Sequence, residues 1–311
     1  MCLNPIYAVD RGILKSNGKK LIKLLPHLAG VPGDYDYLKS IYGDCLIQLP
    51  CGHCSECCKS YAKTWSVRCM LESLYHKEAC FVTLTYDNEH LPPAGMLVKS
   101  DLQKFFKRLR ALFPEKEIRY FACGEYGGQT SRPHYHAIIF GLDFPEDKRM
   151  SQIVGTNELK QQVYRSARLE AAWKFGLSSF GEVTPESCAY VARYSLKKRI
   201  DFSNDGSFIL MSRKPGIGQQ FFLDKKQLIY LSDRVYSQKI HGVSVPRYFD
   251  KLAENDPQIA TLFTKAKDKR LARQSQAVYS AMHTTGSLSI EEANLKQEIR
   301  NWTRALCLLR R

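Results

Sequence analysis

Apolar and polar positions alternate with period two across Ala79–Tyr86, with Phe81, Thr83 and Thr85 on one side and Val82, Leu84 and Tyr86 on the other. Successive side chains of an extended chain point to opposite faces, so this stretch predicts a strand. The period then lengthens. Leu102, Phe105, Phe106, Leu109 and Leu112 form one stripe at helical spacing, predicting a helix capped by Ser100 and running through Phe113. Residues 117–126 (EIRYFACGEY) and 131–140 (SRPHYHAIIF) read as two more strands. The short, turn-rich connection between them predicts an antiparallel hairpin. Leu159, Val163, Ala167 and Ala171 predict a helix over 157–175 ended by Gly176, and 177–183 predicts a short strand. Thr184, Pro185 and Glu186 supply an N-cap, a proline at the first helical position and an early acid, so PESCAYVARYSLKKR opens as a helix.

The resulting order, β-α-β-β-α-β-α, predicts an α+β domain: an antiparallel sheet with helices on one face, of the ferredoxin-like or RNA-recognition-like kind. The first 50 residues are apolar in patches but interrupted by Pro26, Gly30, Pro32 and Gly33, and irregular structure packed on the main domain is expected there. Trp65, Cys69, Leu71 and Tyr75 recur at helical spacing. Residues 208–220 (FILMSRKPGIGQQ) contain Gly216 and Gly218 but no following Gly-Lys-Ser/Thr, which excludes a nucleoside-triphosphate loop. Two basic helices are expected over 256–281 and 290–311. The chain then divides into a cysteine-rich N-terminal region (1–78), a core (79–200), an accessory segment packed on it (201–255) and a basic helical C-terminal region (256–311).

Charge narrows the function. The chain has 46 Lys+Arg against 31 Asp+Glu, a net +15, which points to a polyanionic partner, most often nucleic acid. The cations of 102–113 and of the two C-terminal helices (Lys265, Lys267, Lys269, Arg270 and Arg273; Arg300, Arg304, Arg310 and Arg311) fit either a solvated face or a DNA-facing one. No run reaches the ~18 apolar residues of a membrane span, and no signal peptide is evident. Eleven cysteines, an odd number, fit reduced thiols in a cytoplasm better than a secreted disulfide scaffold.

Three constellations carry candidate chemistry. His134 and His136 are two apart in a strand, so both imidazoles leave one face, and the hairpin brings Glu125 beside them. Two imidazoles and a carboxylate suit Mg²⁺ or Mn²⁺ and can accept Zn²⁺; hydrogen-bonded core histidines and a loop-edge acid are the alternative. Cys51, Cys54 and Cys57, spaced by threes around a glycine, form a zinc half-site that Cys2 or Cys45 could complete, with buried free thiols as the alternative. Tyr190, Tyr194 and Lys197 fall on one helical face with Lys198 close by, where a core stripe is the plainer reading except for the lysine.

Together, PHYHAIIFG after CGEYGGQTSR, and YVARYSLKK after a strand and a Thr-Pro turn, resemble the HUH endonuclease superfamily, and within it the rolling-circle replication initiators of the Microviridae. PCGHCSEC, FVTLTYDNEHLP and MSRKPGIG resemble the gokushovirus branch, which includes phages of Chlamydia. The resemblance covers roughly 45–250. It implies the HUH fold, with His134, His136 and Glu125 holding the metal ion and Tyr190 and Tyr194 attacking the scissile phosphate in turn. Lys197 is then placed to favour the phenolate, and Arg193 matches a basic motif position. Arg132, Lys198, Arg213 and Lys214 are further candidates for DNA contact. The implied partners are viral double-stranded replicative-form DNA and single-stranded DNA in a bacterial host cytoplasm. With no recognisable helicase segment, strand separation falls to a host helicase beside the host polymerase and single-strand-binding protein. Another HUH enzyme (a transposase or plasmid initiator) and a non-catalytic zinc-containing DNA-binding protein are the competing readings.

Overall fold

The computed structural model describes residues 2–14, 16, 20–25, 34–127, 131–144, 155–156, 161–200, 206–238, 240–287, 292, 293, 296 and 300. At 34, 36, 193–200, 274, 275, 278, 279 and 281 it describes backbone alone. The chain groups into two compact units, 1–58 with 264–311, and 59–263.

In the first unit, β1 (Ile6–Leu14) is the middle strand of an antiparallel sheet, flanked by β2 (Lys20–Leu24) and β3 (Leu46–Leu49), with α1 (Asp34–Tyr42) preceding β3. Irregular structure was the expectation for this region, and the sheet corrects it. Ala8 and Val9 are buried in β1 while all of β2 is exposed, so the apolar alternation that signals a strand is confined to a few positions. Helix α2 (Ser55–Ser73) follows.

The second unit is built on a five-stranded antiparallel sheet. Its elements are β4 (Ala79–Tyr86), α3 (Lys99–Leu112), β5 (Arg119–Tyr126), β6 (Pro133–Phe140), the short pair β7 (Gly155–Thr156) and β8 (Gln162–Val163), α4 (Ala167–Ala172), β9 (Gly176–Gly181), α5 (Pro185–Ile200) and β10 (Phe208–Met211). Strand order is β10-β5-β6-β4-β9. The expected β-α-β-β-α-β-α succession is present, and β6 lies at the centre with β5 and β4 on either side. After β10 come α6 (Gln219–Ser232), β11 (Val235–Ser237), β12 (Ile240–Val243), α7 (Arg247–Ala253) and α8 (Ala260–Thr285).

Both faces of this sheet are apolar, which decides where helices go. Cys80, Val82, Leu84, Ala122, Tyr135, Ala137 and Ile139 form one core with Leu102, Phe105, Phe106 and Leu109 of α3 and Leu169 and Ala172 of α4. Phe81, Phe121 and Ile138 point the other way and are equally buried. Leaving them wet would forfeit about 1.5–3 kcal/mol each. They are covered: Trp65 of α2 stacks on Phe121 at 4.6 Å, and Tyr190 of α5 meets Phe81 edge-on. Helices on one face was therefore half right.

Two helix boundaries also differ from expectation. Val98, not Ser100, is the N-cap of α3. Of the helix expected over 157–175, only α4 is helical among the described residues; 157–160 lie outside them. Ser166 stops it from the front, its hydroxyl accepting the Leu169 amide at 3.2 Å, while Tyr164 exchanges backbone bonds of 2.8 and 2.9 Å with Phe180 as extended chain. The α5 start is as the sequence signals: Thr184 Oγ1 accepts the Ser187 amide at 3.2 Å and Ser187 Oγ accepts the Thr184 amide at 2.9 Å, a capping box with serine in the acid's place.

Under the α3 face lies a buried polar knot. The Tyr86 and Tyr135 hydroxyls are 2.7 Å apart, Tyr86 donates to Asp101 at 3.0 Å, and the Val98 amide donates to the Tyr135 hydroxyl at 3.0 Å. Burial pushes the Tyr86 hydroxyl well up, and Tyr135 and Asp101 add to that, so it stays a donor. The knot pins β6 to the start of α3 through Tyr135, the residue between the two histidines.

Candidate active site

The register of the central strands assembles the site. On β6, His134 pairs with Glu125 of β5 and Thr85 of β4, while His136 pairs with Cys123 and Thr83. All of these project on the face opposite the α3 core. The Nε2 atoms of His134 and His136 lie 2.9 and 2.8 Å from one oxygen, Oε1 of Glu125. Glu125 is 1% exposed, and its other oxygen, Oε2, is buried with no hydrogen-bond partner among the described residues. A buried carboxylate with an unanswered oxygen is costly unless a cation balances it. The donor atoms of the three residues lie within 4.8 Å of one another, close enough to share one ion.

Each imidazole is aimed from behind. His134 Nδ1 lies 3.0 Å from the carbonyl oxygen of Arg132, which can only accept, so the proton sits on Nδ1 and the Nε2 lone pair faces Glu125. His136 Nδ1 lies 3.0 Å from Thr83 Oγ1, which can play the same part. Sequence reasoning did not single out Thr83. The signal was there, because period-two alternation put Phe81, Thr83 and Thr85 on the histidine face. Such outer partners are worth about 10- to 100-fold in metal affinity. Thr83→Val keeps the shape and removes the hydroxyl, and it should weaken Mn²⁺ binding by roughly tenfold, read by titration calorimetry, with the melting temperature nearly unchanged.

Tyr190 closes the site from α5. Its ring is buried, 5.0 Å from the His136 ring and at 86° to it, while His136 stacks on Phe81 at 5.5 Å. The side chains of Arg193, Tyr194, Lys197 and Lys198 lie outside the described residues; their backbone continues the helix. Tyr194 thus occupies a position one turn beyond Tyr190.

The sequence model of the replication-associated protein ORF2 family matches residues 79–199, from the first residue of β4 almost to the end of α5. Replication-associated protein ORF2 of Spiroplasma virus 4 is 31% identical over 278 residues, covering 83% of this chain and 85% of its own. The chain belongs to this replication-associated protein family. Replication-associated protein VP4 of Bdellovibrio phage phiMH2K is 33% identical over 240 residues, 72% of this chain and 74% of its own. Replication-associated protein ORF4 of Chlamydia phage 1 is 31% identical over 236 residues, 72% of this chain and 59% of its own. No solved structure matches. No helix among the described residues is long and apolar enough to cross a membrane.

The family's matched segment thus contains Glu125, His134, His136 and Tyr190 together. Other candidates fall elsewhere. Arg132 donates to the Tyr86 carbonyl and to Asn88 Oδ1, both at 2.9 Å, so its guanidinium clamps the end of β4 while its own carbonyl aims His134. Arg213 and Lys214 are exposed beside β10. In α3, Arg108 and Arg110 donate to the carbonyls of Ala172 and Ile118 at 2.6 and 3.0 Å, a use of helix cations that the pattern alone did not distinguish from solvation. Lys265, Lys267, Lys269 and Arg273 of α8 are exposed and Arg270 is half-buried, whereas most of the second basic helix lies outside the described residues.

In the other unit, Cys2 joins Cys51, Cys54 and Cys57, their sulfurs all within 4.8 Å, and Cys45 is not among them. Burial disfavours the Cys54 thiolate, but the Leu3 amide and neighbouring thiols outweigh it and leave this thiol at about 7. Burial and the neighbouring sulfurs push Cys57 strongly up.

Proposed function

We propose that this chain is an HUH-type initiator of rolling-circle replication of a small phage genome. It nicks the double-stranded replicative form at the origin, holds the 5′ end as a phosphotyrosine, and later cuts and rejoins the displaced strand into circles. One observation carries the reading: Glu125, His134 and His136 converge on a buried face beside the Tyr190 ring, inside the segment the family model matches. Two imidazole nitrogens and a carboxylate with a spare buried oxygen fit Mg²⁺ or Mn²⁺. When bound, the ion polarises the scissile phosphate and offsets charge developing on its oxygens.

The chain's own groups do the rest. The Arg132 carbonyl and Thr83 hydroxyl hold the two imidazoles with Nε2 presented, and Glu125 brings the negative charge. The Tyr190 phenolate oxygen attacks phosphorus, the bond to the 3′ oxygen breaks, and that oxygen takes up a proton to leave as a free 3′-OH. A phenolate is itself a good leaving group, so attack by a 3′-OH reverses the link and reseals the strand. Tyr194, one turn on, serves as the second nucleophile for termination, with Lys197 favouring its phenolate. Arg193, Lys198, Arg213 and Lys214 contact phosphates. The 3′-OH primes a host polymerase, and a host helicase and single-strand-binding protein complete the process in the bacterial cytoplasm.

The test is incubation of purified protein with supercoiled replicative-form DNA and Mn²⁺, run on a gel with and without protease. An open circle with protein on its 5′ end is expected, and it disappears in the Tyr190→Phe/Tyr194→Phe double variant while DNA affinity is unchanged. Tight binding that leaves supercoils intact, with the origin present, would sink the reading in favour of a non-catalytic binder.

A further inference from the structure

We propose that Cys2, Cys51, Cys54 and Cys57 hold one zinc ion as a tetrathiolate centre that joins the segment ahead of β1 to the turn leading into α2. The inference is independent of nicking chemistry, because none of these residues belongs to the His134–His136 site.

Sulfur spacing is the first argument. Cys2 and Cys54 have their Sγ atoms 3.9 Å apart, and so do Cys51 and Cys57. A disulfide needs about 2.05 Å. Four thiolates around zinc at about 2.3 Å stand about 3.8 Å from one another at tetrahedral angles. The cluster therefore has the size of a one-ion site. A four-iron cluster needs its cysteine sulfurs spread wider than the 4.8 Å limit that all four satisfy here.

The backbone is arranged for sulfur that carries charge. The Cys51 amide donates to Cys2 Sγ at 3.3 Å, the Cys54 amide to Cys51 Sγ at 3.3 Å, and the Leu3 amide to Cys54 Sγ at 3.5 Å. Gly52, at φ +85°, makes the tight turn that lets Cys51 and Cys54 face one point. Cys57 sits in the first turn of α2, where the helix dipole favours a thiolate. Cys58, next in sequence, is turned away and donates to the His53 carbonyl at 3.5 Å, so the adjacent thiol is not a ligand.

Strand register explains how two distant stretches meet. Ile6 of β1 pairs with Leu49 of β3, so the chain ahead of β1 and the chain after β3 emerge at the same end of the sheet, which delivers Cys2 to Cys51. A three-stranded sheet with one strand wholly exposed has little core of its own, and an ion there supplies what packing does not. Thiolates select zinc, while the N/O set of Glu125, His134 and His136 suits Mg²⁺ or Mn²⁺, so one chain can sort two metals by donor type.

Elemental analysis of the full-length protein tests this. One zinc per chain is expected. Cys57→Ser should lower it at least fivefold, whereas His136→Ala leaves it in place. Cobalt substituted into the wild-type protein should show sulfur-to-metal charge transfer and tetrahedral d–d bands, shifted but retained in Cys57→His. If Cys57→Ser does not fold, the wild-type cobalt spectrum still counts the thiolates. Metal-free protein, iron in place of zinc, a Cys–Cys crosslink in the peptide map, or zinc that leaves with His136→Ala and stays in Cys57→Ser would overturn the proposal.

Discussion

Replacing His136 by alanine is expected to cut the rate of origin nicking about a thousandfold or more and to abolish tight Mn²⁺ binding. The metal's share of transition-state stabilisation in phosphoryl transfer is several kcal/mol, and each ~1.4 kcal/mol is tenfold in rate, so losing about 4 kcal/mol gives that factor. His136 is the ligand to choose because it is tied to everything else in the site: Nε2 to Glu125 at 2.8 Å, Nδ1 to Thr83 at 3.0 Å, and its ring to both Phe81 and Tyr190. That embedding creates a confound, since alanine also opens a cavity between Phe81 and Tyr190. Glu125→Gln resolves it. Glutamine has the same shape and keeps an oxygen for one imidazole, yet the negative charge is gone, so Mn²⁺ affinity and nicking should fall with the fold intact. Single-turnover cleavage of an origin oligonucleotide, with Mn²⁺ titrated calorimetrically, reads both. Nicking within tenfold of wild type in either variant would mean that the two histidines and the acid are a hydrogen-bonded core cluster and nothing more.

The sequence made the parts of this site legible because their spacing is enforced by backbone geometry. A residue and its second neighbour on a strand must share a face, and a short hairpin must return the chain beside itself, so Glu125 and the histidines could be brought together without coordinates. What escaped was everything that depends on which strands become neighbours. Thr83 reaches His136 only because β4 pairs with β6 across 53 residues, and Tyr86 reaches Tyr135 by the same pairing. The cover over the second face was likewise invisible, since the pattern shows that Phe81 and Phe121 are apolar but not that Trp65 and Tyr190 will lie on them. The helix expected over 157–175 failed for a local reason. Its apolar positions fit a helical period, but Ser166 is a stronger cap than the period is a helix signal, and Tyr164 finds a strand partner in Phe180. Cys2 in place of Cys45 is again a matter of register, set by the pairing of Ile6 with Leu49.

The glycine-rich segment after β10 leads to the second large effect, on stability. Glu72, in the last turn of α2, should cost about 3–5 kcal/mol when replaced by alanine, because it is the centre of a buried charged network. Arg119, the first residue of β5, donates to Glu72 Oε1 at 2.5 Å and to the Pro215 carbonyl at 2.7 Å; the Gly218 amide donates to Glu72 Oε2 at 2.6 Å. Arg68, sandwiched between the rings of Trp65 and Tyr248, donates to the Ile217 carbonyl at 3.0 Å. The backbone of 215–218 is therefore committed to holding α2 against the start of β5, the strand that carries Glu125 six residues later, while the side chains of Arg213 and Lys214 just ahead of it stay exposed. Alanine at 72 strands a buried guanidinium and a buried amide, and at roughly 2–4 °C per kcal/mol for a unit of this size the melting temperature should drop by about 10 °C. The loss should depend on pH in a definite direction. Burial works against the Glu72 charge, but His76, the Gly218 amide and Arg119 outweigh it and hold the carboxyl below its usual range. A carboxylate held low in the folded state adds stability above its unfolded value, about pH 4.3, and that stability is lost as pH falls through the lower folded value. Wild type and Glu72→Ala should therefore differ most near neutral pH and converge below about pH 4. The double variant Glu72→Met/Arg119→Met, which removes both charges, should recover much of the loss even though the Gly218 amide stays unanswered. A melting temperature that moves less than about 2 °C in Glu72→Ala, or a difference that grows as the pH falls, would show that the network is solvated and that the turn is held by packing alone.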